Sequence, residues 1–350
     1  MAGPLAGLRI IEIGSLGPCP FAGMMLADHG AEVLRIERPG TSLVGDPMVR
    51  SHQILTLDLK SPEGLQTLHG LIQHADGLIE GLRPGTTERL GFGPEPMLAA
   101  NPRLVYGRMT GWGQTGPYSP WAGHDINYIA LSGALYAVGP PEKPYPPLGL
   151  VGDWGGGGMM LAFAMVSALL HAHKTGEGQV IDCAMTEGSA LLMSAIYGLL
   201  GRGWNEERGT NVGDGGAHFY DAYETADGKF VAIGSMEPQF YRLLREKAGL
   251  DEAMFDAQMD TSAWPALKAK VEAVFKTKTR DDWCALMEHT DVCFSPVLSM
   301  SEAPHHPHNI ARRAFIELDG VIQPAPGPRY SVSVLDAPRA ARAVDVKSIL

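Results

Sequence analysis

Two short β-branched runs, LRIIEI at residues 8–13 and EVLRI at residues 32–36, are separated by a stretch that is too long for a hairpin and long enough for a helix. Strands joined that way run parallel, with a right-handed crossover. Gly14 closes the first run and Pro39-Gly40 stops the second, while Pro18 and Pro20 allow a helix to begin near Phe21 and Gly30 allows it to end. The alternation continues with a helical pattern at 62–74, a short strand at 77–80, a helical turn at 87–90 and the strand LVYGRM at 104–109. Repeated strand–helix units build a doubly wound parallel sheet, so an α/β, Rossmann-like domain is expected.

Four glycines, Gly155-Gly156-Gly157-Gly158, then lead into an apolar segment expected to be a central helix over 159–173. A strand at 179–183 and an apolar helix at 188–200 follow. Composition changes after this point. Residues 219–223 and 230–233 alternate around the turn Ala226-Asp227-Gly228 like antiparallel partners, and the helical segments at 239–248, 264–277 and 280–289 carry more charge. The expected organisation is a large Rossmann-like domain over 1–200 completed by 320–350, a linker at 201–216, a small α+β domain at 217–298, and a return linker at 299–319.

Charge and cysteine usage narrow the function. With 39 acidic against 28 basic residues the chain carries a formal charge of −11, which argues against nucleic-acid and anionic-membrane surfaces. An anionic ligand must therefore meet a local basic site. Cys19, Cys183, Cys284 and Cys293 are far apart with no CxxC, so neither a zinc knuckle nor a disulfide scaffold is expected. The first residues lack the cationic start of a secretory signal, and the apolar run at 159–170 is shorter than the ~20 residues that span a bilayer. The ending Lys347-Ser348-Ile349-Leu350 is not a peroxisomal Ser-Lys-Leu signal. A cytoplasmic protein is the expectation.

Several motifs admit both a functional and a structural reading. Gly14-Ser15-Leu16-Gly17, with Glu37 further on, evokes a dinucleotide fingerprint, but the glycine spacing departs from GxGxxG and two prolines intervene. A tight βα turn suffices to explain it. Arg38 at the end of the second strand, with Lys60, Arg83 and Arg89 in later loops, offers donors for nucleotide phosphates, although each also reads as a solvated charge. His124, of the residue type that most often exchanges protons near physiological pH, precedes a helix start with Asp125 as its cap. Asp153 stands before the four glycines, where free backbone N–H groups and a helix dipole favour an ionised carboxylate and a nearby oxyanion site; capping is the alternative. Glu237 before Pro238 reads by itself as a helix cap. His305-His306-Pro307-His308 lacks carboxylate or cysteine company and reads as a polar loop, with no metal expected. Asp182, Cys183, Thr186 and Ser189 surround a strand-to-helix turn without a GxSxG elbow, so a serine hydrolase is not supported.

Taken together, five segments in order resemble the α-methylacyl-CoA racemases of the family III CoA-transferase superfamily: residues 7–12 (GLRIIE), 111–117 (GWGQTGP), 123–128 (GHDINY), Gly152-Asp153 with its glycines, and 237–241 (EPQFY). The resemblance runs across nearly the whole chain. It implies a large Rossmann-like domain, a small domain, and an interlocked homodimer with each active site between the large domain of one subunit and the small domain of the other. It also implies an acyl-CoA thioester as substrate, with no separate cofactor. In the transferases an aspartate at the Asp153 position is the nucleophile of an acyl anhydride, whereas in the racemases it is a base; His124 and Glu237 carry the likeness to the racemases. The expected reaction is epimerisation of 2-methylacyl-CoA thioesters through an enolate. His124 and Asp153 would be the two bases and Glu237 would orient or tune His124. Arg38, Lys60, Arg83, Arg89 and Tyr128 are expected to hold the CoA portion, and Met185 and Met193 to line the acyl path. CoA transfer through Asp153, and acyl-CoA binding without catalysis, are the alternatives.

Overall fold

The computed structural model describes residues 2–349. The strands are β1 (Arg9–Ile13), β2 (Glu32–Glu37), β3 (Gln53–Thr56), β4 (Gly77–Glu80), β5 (Val105–Thr110) and β6 (Gln179–Ala184), then β7 (Tyr220–Glu224), β8 (Phe230–Gly234) and β9 (Phe294–Val297), and finally β10 (Phe315–Leu318), β11 (Val321–Pro324) and β12 (Arg342–Val344). Contacts divide the chain into two compact units. The first comprises residues 1–134, 147–194 and 313–350, and the second residues 135–146 and 195–312.

In the first unit a seven-stranded sheet runs in the order β12-β3-β2-β1-β4-β5-β6, and its paired strands are parallel throughout. This is the doubly wound order, with its reversal between β1 and β4. Parallel strands need both faces covered. Ile10, Val33, Ile79 and Val105 face one apolar core, and Ile11, Leu34, Leu78 and Tyr106 face another. The four- and three-residue strands β3 and β12 extend the edge beyond what hydrophobic periodicity reveals. β12 is the return of the chain's last segment to this sheet.

The central helix spans Leu150–Thr175, beginning nine residues before the apolar run that announces it, and its first part, Leu150–Met159, has π-helical turns. By length and composition alone this helix could cross a membrane, yet half of its apolar window is buried within the fold. The four glycines let other backbones come close. A Cβ on Gly156 would lie 2.5 Å from the Ser189 nitrogen, one on Gly157 would lie 2.9 Å from the Pro18 Cβ, and one on Gly158 would lie 2.8 Å from the Pro18 carbonyl. The Pro18–Asp28 and Met185–Leu192 helices therefore pack directly against helix backbone. The apolar segment after β6 is two helices, Met185–Leu192 and Ser194–Leu199, not one continuous rod.

The second unit has an antiparallel sheet β7-β8-β9 backed by the helices Pro238–Ala248, Trp264–Phe275 and Arg280–Met287. Phe219, Tyr241, Phe255, Trp264 and Trp283 form its aromatic core. The Gly-rich stretch at 201–216 belongs to this unit. Arg208 donates to the carbonyls of Tyr136, Pro140 and Pro141 and so holds the excursion at residues 135–146 against it.

Candidate active site

Two cavities open at the carboxyl ends of the parallel strands, with Leu16 after β1 and Leu82 after β4 in the walls of both. This is the crevice at the strand-order reversal where doubly wound sheets take ligands. The larger, about 700 Å³, is lined by Arg38 and Lys60 among apolar side chains such as Leu57, Leu59 and Phe92. Arg89 is tied to its wall by Nη2, which donates to Thr86 Oγ1 at 2.9 Å. Glu37, the acidic residue of the dinucleotide reading, also borders it, but its Oε1 accepts from Arg35 Nε at 2.9 Å and from the Leu43 N–H at 3.1 Å. That carboxylate is engaged by the protein itself.

The smaller cavity, about 320 Å³, is lined by Arg83, Trp112, Trp121, His124, Tyr128 and Met185, among others. The five residues expected at the CoA portion are thus divided. Arg38, Lys60 and Arg89 gather at the larger cavity, and Arg83 and Tyr128 stand with His124. Tyr128 is buried, its hydroxyl donates to the Gly123 carbonyl, and its ring meets Trp112 edge-on at 4.7 Å. It acts as a strut beneath the His124 segment while also lining the cavity. A Cβ on Gly111 would lie 2.0 Å from the Tyr128 ring, so this glycine of the 111–117 motif is required by packing. Met193 is not among the lining residues of this cavity, whereas Met185 is.

His124 is exposed and occupies the N-cap position of the Asp125–Leu131 helix, with its backbone N–H donating to Asn127 Oδ1 at 3.0 Å. Asp125 does not cap that helix as expected. Its Oδ1 instead accepts the backbone N–H of Asp153 at 2.9 Å. Gly152 makes this possible, because a Cβ there would lie 2.1 Å from Asp125 Oδ1. Asp153 lies inside the first turns of the Leu150–Thr175 helix, and not before it. Its carboxylate is backed by Gly17 and Gly149, both in the left-handed region, where added Cβ atoms would come within 3.6 and 3.8 Å of it.

The electrostatics reverse one expectation. Burial, followed by the neighbouring Asp125 charge, raises the pKa of Asp153 above the usual carboxylate range, and His124 opposes that shift. The free N–H groups expected around Asp153 are also occupied in part, since its own N–H serves Asp125 and that of Trp154 serves the Gly149 carbonyl. Burial shields the carboxylate from water and so disfavours its charged form. Asp153 is thereby moved toward the range where a carboxyl can both give and take a proton. From sequence Asp125 reads only as a cap; its bond to the Asp153 N–H is what the structure adds. The glycine before Asp153 was its one signal.

In the second unit Glu237 starts the Pro238–Ala248 helix with extended backbone, and its carboxylate makes no hydrogen bond to the first turn. It is exposed and does not act as a side-chain cap. The remaining motifs are structural. Asp182 accepts the Gln114 N–H at 3.1 Å, and the hydroxyls of Thr186 and Ser189 donate to the carbonyls of Gly111 and Met185 at 2.7 Å each. His305 ends a short 3₁₀ turn and His308 sits in the Pro307–Ala311 helix. Among the described residues no group of three or more His, Cys, Asp or Glu side chains is placed to hold a metal ion.

Comparison with known proteins adds an independent line. The model of CoA-transferase family III matches residues 5–344. The α-methylacyl-CoA racemase of Mus musculus is 46% identical over 93% of this chain and 85% of its own length, and that of Homo sapiens is 44% identical over 93% and 86%. A succinyl-CoA–D-citramalate CoA-transferase of Chloroflexus aurantiacus is 32% identical over 89% of this chain and 83% of its own. Among solved structures, a CAIB/BAIF family protein from Brucella suis superposes with a TM-score of 0.84, at 25% identity, over 97% of this chain and 96% of that one.

Proposed function

From the premise that this chain belongs to CoA-transferase family III, we propose that it is an isomerase that epimerises 2-methylacyl-CoA thioesters at the α-carbon by 1,1-proton transfer. The observation that carries the proposal is the pairing of exposed His124 with half-buried Asp153, whose carboxyl pKa responds to the histidine's charge. Inversion next to a thioester carbonyl requires removal of a proton from one face and delivery of another to the opposite face. Neutral His124 removes the α-proton of one epimer as a protonated Asp153 supplies the new one, and the roles exchange for the other epimer. The 44–46% identity to the two racemases supports this chemistry over acyl transfer.

The enolate oxygen must be met by donors that are in place before reaction. Backbone N–H groups at the start of the Leu150–Thr175 helix around Asp153 are the candidates, and the Asp153 N–H bonded to Asp125 Oδ1 holds that turn in place. Arg38, Lys60 and Arg89 bind the nucleotide phosphates of CoA, and the pantetheine arm passes Leu16 and Leu82 toward His124. Glu237 tunes His124, the role the family likeness gives it. We also propose an interlocked homodimer. Phe163 and Leu170 on the Leu150–Thr175 helix are 71% and 53% exposed, and contiguous apolar surface of this kind is ordinarily covered by another chain.

The test is incubation of an enantiopure 2-methylacyl-CoA in heavy water, with deuterium at the α-carbon followed by NMR and configuration by chiral analysis. Deuterium uptake with loss of enantiomeric purity is expected; a bound ester with an unexchanged α-proton would refute the reaction.

Asp125→Asn provides a second check. Removing the neighbouring charge lowers the Asp153 pKa, so the form with neutral His124 and protonated Asp153 becomes scarcer. At equilibrium the two epimers are equally stable at the reacting centre, so kcat/KM falls by the same factor in both directions, roughly 3- to 10-fold. The acid limb of the pH profile moves to lower pH. Steady-state rates between pH 5 and 9 read both effects, and an acid limb that stays in place would remove Asp125 from the account.

A further inference from the structure

Glu237 projects from a loop that leaves β8 at Gly234, and its carboxylate is not used by the helix it begins. We propose that Gln258 is the positioning residue for Glu237, holding the peptide from which the carboxylate projects; this rests on the role of Glu237 proposed above. The Gln258 Nε2 group donates to the carbonyls of Ser235 at 3.2 Å and Met236 at 2.9 Å, the two peptide units directly before Glu237. One amide with two diverging hydrogens bonded to consecutive carbonyls fixes the orientation of the chain as well as its distance.

The other ties act earlier in the loop. Ser235 Oγ donates to the Val292 carbonyl at 2.5 Å, the Ser235 N–H to the Phe219 carbonyl at 2.9 Å, and the Gly234 N–H to the Cys293 carbonyl at 2.9 Å. Gln258 carries that support on to Met236, whose side chain is 47% exposed. Gln258 is itself mounted on the core, since the indole N–H of buried Trp264 donates to its carbonyl at 2.8 Å. The result is a carboxylate with a free end on a tied backbone. A group that must orient an imidazole gains from such mounting, because a mobile loop would have to be ordered at every turnover.

The experiment compares Q258L, E237Q and the double variant in the full-length enzyme, with kcat and KM for a 2-methylacyl-CoA measured across pH and thermal melting followed alongside. Q258A serves as a second variant should Q258L fold poorly. E237Q is expected to lower kcat by about 10-fold or more and Q258L by roughly 3- to 10-fold, with KM within about twofold of wild type. The pH dependence of Q258L should move in the same direction as that of E237Q. The double variant should be no slower than E237Q, because Gln258 acts only through Glu237. Wild-type kcat in Q258L beside a slow E237Q overturns the inference alone, as does a Q258L effect that multiplies fully on E237Q. Wild-type kcat in E237Q overturns the role of Glu237 and the inference with it.

Discussion

His124→Ala is expected to slow racemisation by about 10³-fold or more while leaving one epimer able to exchange its α-hydrogen with solvent. The asymmetry follows from placing one base on each face of the enolate. Without His124, the epimer whose α-hydrogen faces Asp153 still loses it to that carboxylate and regains a deuteron on the same face, so exchange proceeds with retention. Its antipode meets no base and stays protonated. Asp153→Asn gives the mirror result, with exchange confined to the epimer that faces His124. His124 is exposed, and asparagine nearly matches aspartate in shape, so neither change removes core packing and both variants should melt near wild type. Deuterium uptake from each enantiomer, measured separately in the two variants, reads the assignment directly. Exchange of both enantiomers in either variant would mean that one base serves both faces. Near-normal racemisation in either would remove that residue from the chemistry.

The frame around this site is legible in the chain because helix and strand periods differ and glycines and prolines mark the joints. Five of the seven strands in the large sheet follow from apolar runs. β3 and β12 do not; β12 is three residues at the sheet's edge, too few to carry a period, and it belongs to the sheet only through its pairing with β3. His124 and Asp153 stand out as residue types in glycine-rich settings, but Asp125 reads as a cap until its partner is known, 28 residues away. The four glycines suggest open N–H groups, whereas their use is the close passage of two other helices. Local pattern reports which backbone conformations are permitted. It does not report which distant atom fills the space a missing Cβ leaves.

The same limit hides the charges inside the sheet, and there the expected effect on stability is largest. Arg35→Met should destabilise the protein by about 3–5 kcal/mol. Glu12 sits in a run that reads as apolar, yet Glu12 and Arg35 are register partners on β1 and β2, and their side chains pair in a fully buried setting. His52 Nε2 approaches the other oxygen of Glu12 at 3.1 Å, in space that Gly23 leaves open, since a Cβ there would lie 2.2 Å from that carboxylate. Arg35 also binds Glu37 at 2.9 Å and donates Nη2 to the Ser15 carbonyl at 2.8 Å. Methionine fills the volume but strands two buried carboxylates without their guanidinium, and desolvated charge left unpaired is the costly outcome. For a chain of this size the loss corresponds to a fall in melting temperature of roughly 4–7 °C. Arg9→Ala is the control, because Arg9 and Glu32 pair at 3.3 Å with side chains 61% and 42% exposed, and such a pair contributes about 0–1 kcal/mol. Thermal melts of the two variants should therefore differ widely although both lose an arginine from neighbouring strands. Equal melts would mean that water reaches Glu12 and Glu37. A large loss in Arg35→Met alone would also loosen the Ser15 carbonyl, and with it the turn through Gly17 that backs Asp153, so racemase activity should decline below the melting transition before the fold is lost.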